Sequence, residues 1–257
     1  MTKMIFFDID GTLTSFHTHT IPEEVFPALW ELKGQGIKLI IATGRYRDGL
    51  SVLKEFPFDG YITLNGQYCY TNDEVIYENT LKKESIEILL KELEEHPVPA
   101  GFQMKDKRVF NFRDERVDEI HAITGNDDAP AGDISEVTTA PLYQVMIFMN
   151  ETEEAELLKK LPGCRSARWY PTFFDLSPEG GTKVIGMDQF CRYYQTPIEE
   201  TMAFGDGGND LEMIIHAGIG VVMDNGSNEL KLHADYITSD ADHHGIIQAL
   251  RTYRLLK

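Results

Sequence analysis

The apolar positions change their period along the chain, and the changes divide it. Met4 to Phe7 (MIFF) is an apolar run too short for a helix, and Asp8 breaks it. Over IPEEVFPALWELKGQG the apolar residues Val25, Leu29 and Leu32 fall at helical spacing, with Gly34 and Gly36 as the stop. IKLIIATGR is a continuous apolar run, suited to a strand covered on both faces. The pattern predicts a helix over 46–56, and GYITLNG reads as a third strand ending in a turn. Strand, helix, strand, helix, strand implies a parallel sheet with right-handed crossovers.

The middle of the chain changes character. KKESIEILLKELEEH is a charged amphipathic helix, and GFQMKD, KRVFNFR, YQVMIFMN, SARWYP and TFFDLS are alternating or aromatic-rich. Helical stretches DERVDEIHAIT and ETEEAELLKKL, and loops such as GNDDAPAGD, lie between them. Paired strands with intervening helices predict an α+β unit on an antiparallel sheet. After SPEGGTK the first pattern resumes: a helix over 183–194, then TMAFGD, GIGVVM and ADYIT as strands separated by helices, and a last helix from about His243. The expected architecture is therefore an α/β chain. Residues 1–80 and 181–257 form a Rossmann-like parallel-sheet core, and 81–180 an inserted α+β cap domain.

Composition narrows the partners. The 42 acidic against 24 basic residues give a formal charge of -18. That disfavours nucleic acid and anionic membrane surfaces, which are bound through clustered Lys and Arg. A small anionic substrate stays open, because one cation in a pocket inverts the local field. Cys69, Cys164 and Cys191 are few and widely spaced, as expected of free thiols in a reducing compartment. With no signal-peptide pattern and no long apolar run, a cytoplasmic location is expected.

Ligands of parallel sheets bind beyond the carboxyl ends of the strands. Here those ends carry Asp8-x-Asp10-Gly11-Thr12, Thr43-Gly44-Arg45, Asn65-Gly66 and Gly205-Asp206-Gly207-Gly208-Asn209-Asp210. Lys183 opens the helix that re-enters the core. Three carboxylates with room for water suit a hard cation, Mg²⁺ above all. A hydroxyl, glycine N–H groups and a lysine suit the oxygens of a phosphate. Together they point to phosphoryl transfer, and a shared cation explains why Asp8 and Asp10 sit one residue apart.

Four motifs in order, DIDGTL, ATGR, GGTK and GDGGNDLEM, with a tail reading VVMDNGSNELKLHADYIT, make the sequence resemble the haloacid dehalogenase-like phosphohydrolases of the Cof-type branch. The insert resembles that branch's type-two cap in placement rather than in motif. The resemblance implies a Mg²⁺-dependent phosphatase of small phosphorylated metabolites, sugar- or cofactor-phosphate type. Asp8 would be the nucleophile that becomes an aspartyl-phosphate, and Asp10 the general acid and then base, its backbone carbonyl also reaching the metal. Asp206 would complete the metal ligands. Thr43, the Gly44 N–H and Lys183 would hold the phosphoryl group with Asn209 in support, and Asp210 would orient Lys183 or a metal-bound water. The cap would close over the core and select the leaving group.

Read singly, each feature has a plain structural alternative: solvated acids, a strand-ending turn at Thr43-Gly44, a surface lysine, a flexible GDGGND loop. Arg45 and Arg47 suit either substrate contact or pairing with surface carboxylates. His17 with His19, and His243 with His244, invite zinc but lack further ligands at a known spacing. In the insert, Arg108, Arg113, Arg116 and Trp169 read as surface charge and core aromatic or as pocket lining. Asn65-Gly66 and Gly180-Gly181 are candidate hinges. Rival readings of the site are a phosphotransferase or phosphomutase, a phospho-aspartate signalling module, and a metabolite sensor; the pattern leaves oligomeric state open.

Overall fold

The computed structural model describes residues 1–124 and 129–257. Gly125 to Asp128, the start of the GNDDAPAGD loop, lie outside the described residues, as do the side chains of Thr124 and Trp169. In chain order the elements are β1 (Met4–Phe7), α1 (Val25–Gly34), β2 (Lys38–Ala42), β3 (Gly60–Thr63), β4 (Tyr68–Tyr70) and β5 (Val75–Glu78). Then come α2 (Lys83–Glu95), β6 (Ala100–Gln103), β7 (Arg108–Phe110), α3 (Glu115–Thr124), β8 (Gln144–Ile147), α4 (Glu151–Leu158), β9 (Cys164–Tyr170) and β10 (Phe173–Pro178). The chain ends with α5 (Lys183–Tyr193), β11 (Thr201–Gly205), α6 (Leu211–His216), β12 (Ile219–Met223), α7 (Asn228–Lys231), β13 (Tyr236–Thr238) and α8 (Gly245–Thr252).

Two compact units result. The first comprises Met1–Arg45, Leu50–Tyr77 and Thr182–Lys257; the second comprises Tyr46–Gly49 and Glu78–Gly181. In the first, eight strands form one sheet in the order β13-β12-β11-β1-β2-β3-β4-β5. From β13 to β3 the pairing is parallel, with Phe7 opposite both Phe204 and Ile41. The parallel-sheet α/β core expected from the pattern is thus present.

Side-chain alternation explains why those strands read as unbroken apolar runs. Ile5, Phe7, Leu39, Ile41, Met202 and Phe204 face one way, against Val25, Leu29 and Leu32 of α1 and Ile246 and Leu250 of α8. Met4, Phe6, Ile40, Ala42 and Ala203 face the other way, against Met187 and Phe190 of α5 and Met213 and Ile214 of α6. Burying a Leu, Ile or Phe side chain contributes about 1.5–3 kcal/mol, so a sheet covered on both faces has two cores.

Two features depart from the pattern. Residues Arg47–Leu53 form a 3₁₀ turn in place of the helix expected over 46–56. This segment has Leu50, Val52 and Leu53 crowded together and Gly49 in its middle, which suits a tight turn better than a helix. After β3 the chain doubles back through β4, antiparallel with Tyr61 opposite Tyr70, and β5, adding an edge that the motif pattern did not reveal.

The second unit has a five-stranded sheet, β7-β6-β8-β10-β9, with antiparallel pairing throughout. Phe102, Val145, Ile147 and Leu176 pack on one face with Ile86, Leu89 and Leu93 of α2. Phe110, Met146, Phe148 and Phe173 lie on the other with Val117 and Ile120 of α3. Asn150 caps α4 with a reciprocal box to Glu153, anchoring a helix with three acids in its first turn.

Helix α5 carries Lys183 and lies unusually close to β3. A Cβ on Gly186 would stand 2.5 Å from Cγ2 of Ile62, so the glycine is what permits the approach. Replacing Gly186 with Ala should therefore destabilise the protein by about 1–3 kcal/mol through overpacking. That loss comes despite a helix-propensity gain of about 1 kcal/mol. Denaturant unfolding would show it as a lower midpoint with an unchanged slope.

Candidate active site

The carboxyl ends of β1, β2, β3, β11 and β12 all open on the same edge of the parallel sheet, with β1 in the middle. Asp8 follows β1 directly and donates its backbone N–H to Phe204 O (3.0 Å), which continues the ladder one residue past the strand. Its carboxylate is buried, and so are Asp206, Asp210 and Lys183. Lys183 Nζ donates to Asp8 Oδ1 and to Asp210 Oδ1, both at 2.6 Å. The other oxygen of Asp210 accepts the N–H groups of Asp206 (3.0 Å) and Gly207 (2.9 Å). Asp210 is thus fully engaged in holding the loop and the lysine. Gly205 makes room for it, since a Cβ there would meet Cβ of Asp210 at 2.6 Å.

Asp206 is gripped at both oxygens. Thr12 Oγ1 donates to Oδ1 at 2.8 Å, and Asn225 Nδ2 donates to Oδ2 at 2.9 Å. The same Asn225 Nδ2 lies 3.0 Å from Gly11 O, stitching the loop after β12 to the loop after β1. Gly11 has φ +80° and no room for a side chain, because a Cβ would sit 2.3 Å from Asp206 Oδ2.

Asp10 points elsewhere. Arg45 holds it with a two-pronged contact, Nε to Oδ2 at 2.9 Å and one terminal nitrogen to Oδ1 at 2.6 Å. Arg45 thus pairs with a carboxylate of the site itself, Asp10. Thr43 is buried, and its Oγ1 accepts the Arg45 N–H at 3.1 Å.

The loop after β3 supports Thr43 from behind. Leu64, Asn65 and Gly66 have φ of 53°, 54° and 97° in succession. For Leu64 the left-handed conformation costs about 1–2 kcal/mol. Its complete burial helps to offset that. The N–H of Leu64 donates to Arg45 O and that of Asn65 to Thr43 O, both at 3.0 Å. A Cβ on Gly66 would fall 2.0 Å from Thr182 O, so the turn is pressed against the residue that caps α5. Asn65-Gly66 lies inside the first unit and is no junction; the chain passes between units at Arg45–Tyr46, Gly49–Leu50, Tyr77–Glu78 and Gly181–Thr182, the last beside the expected Gly180-Gly181 hinge. Asn209 Nδ2 donates to Asn65 Oδ1 at 3.0 Å.

Over residues 5–250 the sequence matches the family model of haloacid dehalogenase-like hydrolases. The chain belongs to that family. YkrA of Bacillus subtilis (strain 168), provisionally named a phosphatase, is 34% identical over 99% of both chains. Among solved structures, the subclass IIB sugar phosphatase BT4131 is 38% identical with a TM-score of 0.89, covering 99% of this chain and 100% of that one. The haloalkanoate-superfamily phosphatase BT1666 of Bacteroides thetaiotaomicron is 32% identical with a TM-score of 0.92, covering 100% and 96%. This haloacid dehalogenase-like hydrolase falls in the Cof-type branch and is a phosphatase.

The hydrolase's buried charges fit a hard cation. Asp8, Asp206 and Asp210 each place a carboxylate oxygen within 4.8 Å of the others, and they face the single ammonium of Lys183. Burial pushes Asp8 well above the usual carboxylate range; Lys183 pulls it down, while Asp210, Asp206 and Asp10 push it up. Asp206 is raised to about 7, first by burial and then by Asp210, against the Thr12 hydrogen bond and Lys183. Burial alone would lower the Lys183 ammonium, and Asp210 and Asp8 more than reverse it. The surplus negative charge is what a divalent cation neutralises, and all-oxygen donors suit such an ion. Asp210 already accepts three hydrogen bonds, Asp206 two and Asp8 one, so Asp8 and Asp206 keep more lone-pair capacity for such an ion. Among the described residues no other group of three potential ligands comes together. His243 pairs with Asp240 and His244 with Glu24.

Two contacts of the site escaped the motif reading. Asn225 stands two residues beyond β12, so the strand-end rule that picked out the other loops would have found it. Arg45 was seen but its partner was not, because nothing in sequence spacing shows a contact across 35 residues. In the second unit, Arg113 pairs with Asp118 and Arg116 with Asp114, as surface charges do. Arg108 donates to Gln103 and lies 5.5 Å from the Tyr46 ring.

The raised carboxyls set a pH dependence. A carboxyl with a folded pKa above its unfolded value keeps its proton in the folded state longer, so stability falls as pH rises between the two values. For Asp206 that window runs from about 4 to about 7. The cation-free protein should lose thermal stability across it, and the gain on adding a divalent cation should be larger at pH 8 than at pH 5. Thermal unfolding with and without chelator over that range measures both.

Proposed function

We propose that this phosphatase hydrolyses monoesters of small phosphorylated metabolites, of sugar- or cofactor-phosphate type, through an aspartyl-phosphate on Asp8 and with Mg²⁺. The observation that carries the reading is the buried Lys183 bridge between Asp8 and Asp210. It fixes a carboxylate oxygen at a strand end beside a cation, where a nucleophile for phosphorus needs to be aimed. Asp8, Asp206 and the backbone carbonyl of Asp10 would hold Mg²⁺, whose charge would supply stabilisation of the phosphoryl oxygens.

The chain's own groups supply the rest. An Asp8 oxygen bonds to phosphorus while the bond from phosphorus to the leaving oxygen breaks. Thr43 Oγ1, the Gly44 N–H and Lys183 hold the phosphoryl oxygens, with Asn209 in support. Asp10 gives its proton to the leaving oxygen. It then takes a proton from the water that attacks the aspartyl-phosphate, and inorganic phosphate leaves with Asp8 restored. Each time Asp10 carries a proton the Arg45 contact weakens, since a neutral carboxyl is a poorer acceptor than a carboxylate.

Replacing Asp8 with Asn keeps shape and removes the nucleophile. Phosphate release from an aryl phosphate with Mg²⁺ should fall at least about a thousandfold in this variant. Thermal unfolding would stay cooperative, and a chelator would abolish wild-type release. Appreciable turnover by Asp8→Asn would rule out the covalent route.

A further inference from the structure

We infer that Asn65 is a positioning residue for the phosphate-holding loops, acting through Asn209 and against Gly44; the inference rests on the phosphatase reading above. Five contacts converge on its turn. The Asn65 and Leu64 N–H groups take the carbonyls of Thr43 and Arg45, the residues on either side of Gly44. The backbone is thus held on both sides of Gly44, at the carbonyl of the peptide that presents its N–H and at the Arg45 carbonyl two peptides on. In front of it stands the Asn65 amide: a Cβ on Gly44 would meet Oδ1 and Nδ2 of Asn65 at 3.2 and 3.3 Å, the two nearest atoms it would encounter. The same amide accepts from Asn209 Nδ2 at 3.0 Å. Behind it, Gly66 abuts the carbonyl of Thr182, one residue before Lys183. One turn therefore touches the β2 loop, the β11 loop and the start of α5, the three places from which the phosphoryl group is held.

The residue type follows from two demands. The backbone at position 65 is left-handed, φ 54° and ψ 33°, which Gly, Asn and Asp adopt most readily. Glycine has no amide to brace Gly44 or hold Asn209. Aspartate would place a negative charge beside an incoming anion. Asparagine alone of the three meets both demands.

Those alternatives are also the test. Wild-type turnover of an aryl phosphate and its inhibition by inorganic phosphate are measured first; absence of turnover overturns the phosphatase reading and this inference with it. Asn65→Gly keeps the backbone conformation and deletes the amide. It should weaken inhibition by inorganic phosphate about tenfold, with little change in thermal unfolding or in the stabilisation given by Mg²⁺ alone. Asn65→Asp should weaken inhibition further and regain part of it at high salt, a response that a purely structural role does not produce. Asn209→Ala, at an exposed position, reads the same contact from the other side. Combined with Asn65→Gly it should cost less than the product of the two single effects. Unchanged phosphate inhibition in Asn65→Gly, wild-type inhibition in Asn65→Asp, or fully multiplicative effects in the pair would each overturn the assignment.

Discussion

A single ammonium, Lys183, holds apart and holds together the carboxylates at the centre of the sheet edge. Burying Asp8 and Asp210 without a partner is prohibitive, and the lysine reaches both only because several backbones approach closely. Gly186 lets α5 settle onto Ile62, Gly205 admits Asp210, and Gly66 meets the carbonyl before the lysine. Asp210 then uses its second oxygen to fix the backbone of Asp206 and Gly207. The glycines of the motifs thus serve the charge arrangement as much as any ligand.

That arrangement is deliberately incomplete. One ammonium does not balance three buried carboxylates, and burial first, with the neighbouring carboxylates adding to it, leaves Asp8 and Asp206 raised. The neutral donors Thr12 and Asn225 hold Asp206 in place without supplying the missing charge. A cation held by that cluster would supply the missing charge and would stabilise the fold by mass action.

Much of this was legible in the sequence because the relevant rule is local. Each of Asp8, Thr43 and Asp206 directly follows an apolar run, and strand ends collect ligands. The continuous apolar runs correctly signalled a sheet buried on two faces. What remained hidden depends on contacts between distant segments. The Arg45 clasp on Asp10, the reach of Asn225 to Gly11 and the left-handed turn at Leu64 are set by tertiary packing, which overrides local preference. Asn65-Gly66 read as a hinge because glycine is permissive; here that permissiveness serves close contact instead. The 46–56 segment and the β4–β5 edge were missed for a plainer reason, since short apolar stretches fit several elements.

The central place of β1 has a consequence for how the molecule comes into being. Its neighbour β2 emerges from the ribosome soon after it, but its other neighbour, β11, is made only after the whole second unit. The Lys183–Asp8 pair spans 175 residues. Until that late stage a nascent chain carries a strand with one bare edge and an acid without its counter-charge. Such long-range closure slows folding and leaves an edge open to wrong pairing. The β1–β11 ladder and the Lys183–Asp8 pair therefore close only after the second unit has been made, while α6, β12, α7, β13 and α8 are still to come.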